Sequence, residues 1–169
     1  MKKLLLALIS VLILSGCASS SQVNSEFSPT DIAFAEMMIP HHEQAIEMSE
    51  LALMNSTNPE VLELAQEIKS SQAPEIELMA SWSGVKSSTH AGHTMDGMLS
   101  EDELNALRAA TGAEFDRLFL QGMIKHHQGA IEMAMDVKNS NSVVVADLSA
   151  AIVKQQEIEI TRMEELLLK

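Results

Sequence analysis

Two adjacent histidine pairs carry most of the chemistry available to this chain. His41-His42 stands in "MMIPHHEQAIEM" (Met37–Met48), and His126-His127 in "GMIKHHQGAIEM" (Gly122–Met133). Imidazole nitrogen suits zinc, copper, nickel and iron, whereas thioether sulfur selects soft ions such as Cu(I). Both ligand types are present, with Met37, Met38 and Met48 around the first pair and Met123 and Met133 around the second. At about 100° of rotation per residue, a helix would place His41 about 40° and His42 about 140° from Met37. Both rings then fall within an apolar stripe that also holds Phe34, Met38, Ala45 and Met48, while Glu43 and Glu47, and Glu132 in the second copy, turn away from it. A core-facing histidine needs a hydrogen-bond partner or a metal, because a buried polar group left unpaired costs on the order of 1–3 kcal/mol. The stripe itself holds no carboxylate, and the Glu-x-x-His pattern of di-iron bundles is absent from the chain. Cu(I), with Ag(I) as its chemical mimic, is the expected cargo, another soft or borderline metal being the alternative. Thioethers do not titrate, so binding is expected to survive mild acid and to weaken as the imidazoles protonate at about pH 6.

A second tract, "HAGHTMDGM", holds His90, His93, Met95 and Met98. It reads as a second, weaker soft-metal site or a lid over the first, or as a polar loop with incidental residues. The chain shows no Ser/His/Asp or Cys/His nucleophile arrangement and no glycine-rich phosphate loop, so no catalytic motif is recognised. Two rivals to metal capture follow from the same residues: a metal-dependent oxidase, and a structural or interaction bundle whose histidines bond only to each other.

The elements that must position these residues are themselves repeated. At a shift of 85, Phe34, Met38, Ile39, His41, His42, Ala45, Ile46, Glu47 and Met48 match residues of the same type from Phe119 to Met133. At a shift of 84, Ile68, Gln72, Glu75, Ile76 and Met79 match Ile152, Gln156, Glu159, Ile160 and Met163. That period suits two copies of a helical hairpin. The composition, rich in Ala, Leu, Met and Glu and without tyrosine, favours helix. The first helix is expected from Thr30 or Asp31 to about Leu53. The second follows the "NSTNP" turn, with Asn58 as N-cap and Pro59 as first residue, to about Trp82. The capping box "SEDE" (Ser100–Glu103) opens a short helix ending near Gly112. Two more long helices span about Ala113 to Val137 and Ser142 to Leu167. The expected fold is an all-α, ferritin-like four-helix bundle with a short connecting helix, and a plain up-down-up-down bundle is the alternative. Repeat one covers about 30–82, the connector 83–112 and repeat two about 113–168. Pro40 and Pro74 fall inside helices, where each removes a backbone bond and either opens the bundle or is tolerated as a bend.

The N-terminal end carries an address. "MKKLLLALISVLILSGC" has two lysines, a short apolar run and Leu14-Ser15-Gly16-Cys17. This is the layout of a secretory signal over residues 1–16, too short for a permanent span. Leu-Ser-Gly-Cys resembles the bacterial lipobox, which implies lipidation of Cys17, the only cysteine, with the membrane touched through that lipid alone. Ala18 after it favours, by resemblance to Gram-negative sorting, an outer-membrane lipoprotein facing the periplasm. Residues 17–29 read as a serine-rich tether, leaving 30–169 as a single domain. The net charge of −13 repels nucleic acid.

The doubled Met-Ile-x-His-His segments, "GAEFDRLFLQGMIKHHQGAIEMA", and the spaced Gln and Met of the helices that follow them resemble the family called domain of unknown function 305, which includes CopM-like copper-binding proteins. The resemblance covers about Thr30 to Leu168. It implies a ferritin-like four-helix bundle, usually exported, with copper binding in some members and no established enzymatic reaction. It also implies ligands drawn from Met38, His41, His42 and Met48, with Met123, His126, His127 and Met133, and it leaves room for a copper-handling protein partner. The two copies depart from each other at Met37, matched by Gly122, and at Glu43-Gln44, matched by Gln128-Gly129. The first departure puts equal ligation by the two halves in doubt.

Overall fold

Serine at the N-cap sets where the first helix begins. In the computed structural model, which describes residues 26–86 and 95–169, Ser28 Oγ accepts from the Asp31 amide at 3.2 Å while Asp31 Oδ2 accepts from the Ser28 amide at 2.7 Å. This reciprocal cap opens α1 (Pro29–Asn55), slightly before the expected Thr30 or Asp31, because two donors that the first turn leaves open are satisfied together. Asn58 caps α2 (Pro59–Ala80), with Pro59 in the first turn as expected. Ser100 and Glu103 form the cap of α3 (Glu101–Ala109). Two further long helices follow, α4 (Gly112–Val137) and α5 (Val143–Leu167). Pro40 and Pro74 lie inside continuous helices. α2 stops at Ala80, so Trp82 lies just beyond it, stacked on Phe27 with ring centroids 4.8 Å apart.

The long helices form the four-helix bundle of a ferritin-like fold, with the two hairpins α1/α2 and α4/α5 packed through α1 and α4. The direction of that contact follows from its partners. Met48 lies near Gly122, His41 stacks near His126, and Ser56 bonds to Asp116. Rising numbers on α1 thus meet falling numbers on α4, and the two run antiparallel. α2 and α5 are antiparallel as well, since Arg162 pairs with Glu63 and Glu67 while Lys169 pairs with Glu60. An antiparallel pair of matching helices is what a twofold axis between two equal hairpins produces.

Two apolar clusters stabilise the bundle. One gathers Ala45, Met48, Leu64, Ile68, Phe115, Phe119, Met123 and Met163 with Leu99, Leu104 and Leu107 of the connector. The other gathers Phe34, Met38, Ile39, Met79, Ala130, Val145 and Ile152 with Phe27 and Trp82. Burial of side chains this size contributes roughly 1.5–3 kcal/mol each. Among the described residues, no helix is long and apolar enough to cross a membrane. Cys17, the signal segment and most of the tether lie outside the described residues, as do His90 and His93.

Candidate metal centre

Between the two apolar clusters every long helix carries polar residues. On α1 they are His41 and His42, flanked by Ile39 and Ala45; on α4 they are His126 and His127, flanked by Met123 and Ala130. On α2 they are Gln72 and Glu75, between Ile68 and Met79; on α5 they are Gln156 and Glu159, between Ile152 and Met163. The result is a polar layer across the middle of the bundle. All four imidazoles have no exposed surface, and Gln72, Gln156 and Glu159 are buried as well.

The two hairpins meet at the first histidine of each pair. The His41 and His126 rings lie 3.8 Å apart between centroids, tilted by 42°. Burial pushes the His41 imidazole down to about 3, with the neighbouring His42 and His127 adding to the effect. Burial, then His41, His127 and His42, hold His126 well below the usual imidazole range. Both rings therefore stay neutral, with lone pairs available, far below the onset of acid weakening at about pH 6 expected from ordinary imidazoles.

The second histidine of each pair faces a carboxylate. His42 Nε2 lies 2.8 Å from Glu75 Oε2, and His127 Nε2 lies 2.6 Å from Glu159 Oε2. The view of the histidine stripe as free of carboxylates holds for α1 and α4, where Glu43 and Glu132 are exposed and Glu47 pairs with Arg108. It fails for the site, because the acids arrive from α2 and α5. Their signal was in the second repeat match, where Glu75 and Glu159 share a register.

Among the described residues, several polar atoms of the layer have no hydrogen-bond partner. These are Nδ1 of His41, His42 and His127, both ring nitrogens of His126, both amide atoms of Gln72 and Oε1 of Gln156. The cost of such atoms, about 1–3 kcal/mol apiece, is recovered if something binds them. Among the described residues no three or more His, Cys, Asp and Glu side chains form a group able to hold a metal ion.

The sulfur is close in sequence. Met38 lies one turn before His41 and His42, and Met123 one turn before His126 and His127. Both are fully buried, as are Met48, Met79 and Met163. Met37 and Met133 are half-buried at the layer's margin. Met48 and Met133 occupy matching places but unequal surroundings. Met95 and Met98 are also half-buried, and Met98 Sδ accepts from the Met95 amide at 3.4 Å.

The connector breaks the symmetry over this layer. His41 Nε2 lies 3.3 Å from the Asp96 carbonyl oxygen. Gln44 clamps Leu99 in both directions, donating to its carbonyl at 3.0 Å and accepting from its amide at 2.7 Å. At the matching place on α4 stands Gly129, where a Cβ would collide with the Asp96 carbonyl oxygen. Gly97, at φ +84°, takes a left-handed conformation, and a Cβ there would sit 2.7 Å from the Lys125 carbonyl oxygen. Gly122, matching Met37, leaves room for Leu99, whose methyl carbon would be 3.1 Å from an added Cβ. Both departures between the repeats thus serve one strap, residues 96–99, laid across α1 and α4.

The model of the domain of unknown function DUF305 matches residues 31–167. A putative secreted DUF305 protein from Streptomyces coelicolor is 31% identical, covers 82% of this chain and 92% of its own, and superposes with a TM-score of 0.76. CopM in its Cu(II)-bound form is 36% identical over 82% of this chain and 95% of CopM, with a TM-score of 0.70. In its Cu(I)-bound form the figures are 34%, 82%, 96% and 0.67, and CopM has also been solved with silver bound. No functionally curated protein matches the chain. The family match spans all four long helices and both histidine pairs, and on that basis the chain belongs to the DUF305 family.

Proposed function

We propose that this protein is an exported metal-binding protein that captures Cu(I), or Ag(I) in its place, within the polar layer, for copper buffering, resistance or transfer. The observation that carries the reading is His126, fully buried with neither ring nitrogen partnered and 3.8 Å from His41. The ligands are drawn from His41, His42, His126 and His127, with thioethers from Met38, Met48, Met123 and Met133 and with Met37 at the margin. The tract that holds His90, His93, Met95 and Met98 is the candidate for a second, weaker site, of which Met95 and Met98 lie among the described residues. Sulfur beside neutral imidazole selects a soft cation. The copper- and silver-bound forms of CopM support the choice of ion. Export through the signal at residues 1–16 and lipidation at Cys17 would place the domain of residues 30–169 on the periplasmic side of the outer membrane, where a copper-handling protein is its natural partner.

Anaerobic Cu(I) titration against a competing chelator tests the reading. Changing His41, His42, His126 and His127 together to Ala is expected to abolish tight binding, and unchanged affinity and stoichiometry would sink it. The proximity of Glu75 and Glu159 to His42 and His127 favours one second reading, a metal-dependent oxidase. Oxygen consumption on addition of Fe(II) or Cu(I) would support that reading, and its absence would remove it.

A further inference from the structure

We infer that Glu75 and Glu159 are positioning residues that fix the tautomers of His42 and His127, so that each ring offers Nδ1, rather than Nε2, to the cation. The inference rests on the polar layer being the ion site and names the atoms that would ligate there.

A neutral imidazole carries one N–H, on one of its two nitrogens. Placed on Nδ1 of His127, that proton would be a buried donor with no acceptor, since this atom has no partner. The lone pair left on Nε2 would then face a carboxylate oxygen 2.6 Å away. Both consequences are unfavourable. Placed on Nε2, the proton is donated to Glu159 and the Nδ1 lone pair is left open. The same choice follows for His42, whose Nε2 lies 2.8 Å from Glu75 while its Nδ1 is unpartnered. His41 obeys the same logic with a backbone partner, because the Asp96 carbonyl can only accept and so receives Nε2–H. A carboxylate behind a histidine orients the ring and raises its basicity as a ligand.

The two carboxylates are unequal. Glu159 is 3% exposed, and its other oxygen accepts from Gln155 Nε2 at 2.9 Å. The Glu75 side chain is 19% exposed. Ser71, which occupies the place matching Gln155, bonds instead to the Ile68 carbonyl. His127 is therefore the more firmly set of the two rings.

Nitrogen NMR of the 15N-labelled protein tests this without relying on a variant. In the ion-free protein, at a pH where each ring carries a single proton, His42 and His127 are expected to show a protonated Nε2 and a bare Nδ1, and a proton on Nδ1 with a bare Nε2 in either would overturn the assignment. Addition of Ag(I), whose nuclei couple to a bound nitrogen, is expected to split the Nδ1 signals, whereas splitting at Nε2 would overturn it. Glu159→Gln keeps the shape but lets the amide donate as well as accept. Mixed tautomers and a fall of about 10–100-fold in silver affinity are expected, with a smaller fall for Glu75→Gln. Lower stability with unchanged tautomers would mark the acids as merely structural and overturn the inference. Should silver bind to none of the imidazoles, the proposed function falls and the ligating role of Nδ1 falls with it. The tautomer assignment is decided separately by the ion-free spectrum.

Discussion

His41 and His126 occupy matching places in the two repeats and touch each other, yet their surroundings differ. His41 is tethered to the connector through the Asp96 carbonyl, whereas among the described residues neither nitrogen of His126 has a partner of good hydrogen-bond geometry. The difference separates two roles that a repeated sequence alone would treat as one. His41 holds the strap as well as facing the layer, and His126 packs on the His41 ring with neither nitrogen in a well-formed hydrogen bond among the described residues. A buried imidazole left so poorly satisfied points to ligand binding more strongly than its better-satisfied twin.

Substitution separates the twins most sharply. His126→Ala is expected to lower Cu(I) or Ag(I) affinity by more than about 100-fold, roughly 2.7 kcal/mol, with only the cost of the cavity to the ion-free unfolding midpoint. His41→Ala should lower affinity and stability together, because the Asp96 carbonyl loses its donor. Chelator competition and urea unfolding on both variants check this, and equal stability losses would erase the distinction.

Acid provides the next comparison. The His41 imidazole is pushed down to about 3 and His126 lies well below its ordinary value. The unfolded chain thus binds more protons than the folded one below about pH 6.5. Above that pH the rings are neutral in both states and cost nothing, whereas below it stability is lost at up to about 1.4 kcal/mol per pH unit for each ring, the loss from His41 ending at about 3. Unfolding of the ion-free protein followed between those limits reads the slope, and NMR titration of the two rings assigns it. A flat profile would contradict the burial of both.

Gly129 and Gln44 form the third contrast. Gly129→Ala drives a Cβ into the Asp96 carbonyl oxygen and is expected to cost about 1–3 kcal/mol. Gln44→Ala removes two hydrogen bonds to Leu99, worth about 0.5–1.5 kcal/mol each. Additive losses in the double variant would mean that the two sites do not act through one strap. The smallest effect belongs to Arg162, which joins α5 to Glu63 and Glu67 of α2, its matching place on α2 being Leu78. Arg162→Ala is expected to cost about 0.2–1 kcal/mol, and less at high salt.

Much of this arrangement could be read from the residues. The turn at Asn58-Pro59, the cap at Ser100-Glu103 and the four long helices follow from local rules, because the chemistry of a helix end sits within a few residues. The meeting of the histidine pairs was legible because the repeat places both on the apolar face of equivalent helices. Glu75 and Glu159 were visible as a repeat match but not as partners of histidine. A projection of α1 or α4 alone shows only what that helix carries, and these acids come from its neighbours. The strap was less legible still. Gly122 and Gly129 stood out as departures from the repeat, but what fills the space beside a glycine depends on where a distant loop passes. The start of α1 falls one residue before the expected Thr30 or Asp31, because Asp31 is the returning half of the Ser28 cap.

The route of residues 96–99 bears on how such a protein can be assembled. The strap touches Gln44 on one helix and Gly129 on the other, which are mates under the twofold relation, so it passes over the axis itself. An object on a twofold axis cannot be duplicated by that axis without overlapping its own image. Two separate hairpins associating as identical halves could bring four imidazoles together, but neither could contribute a cover of this kind without excluding the other's. Joining the halves in one polypeptide, and letting one position diverge to glutamine and its mate to glycine, is what allows a single roof.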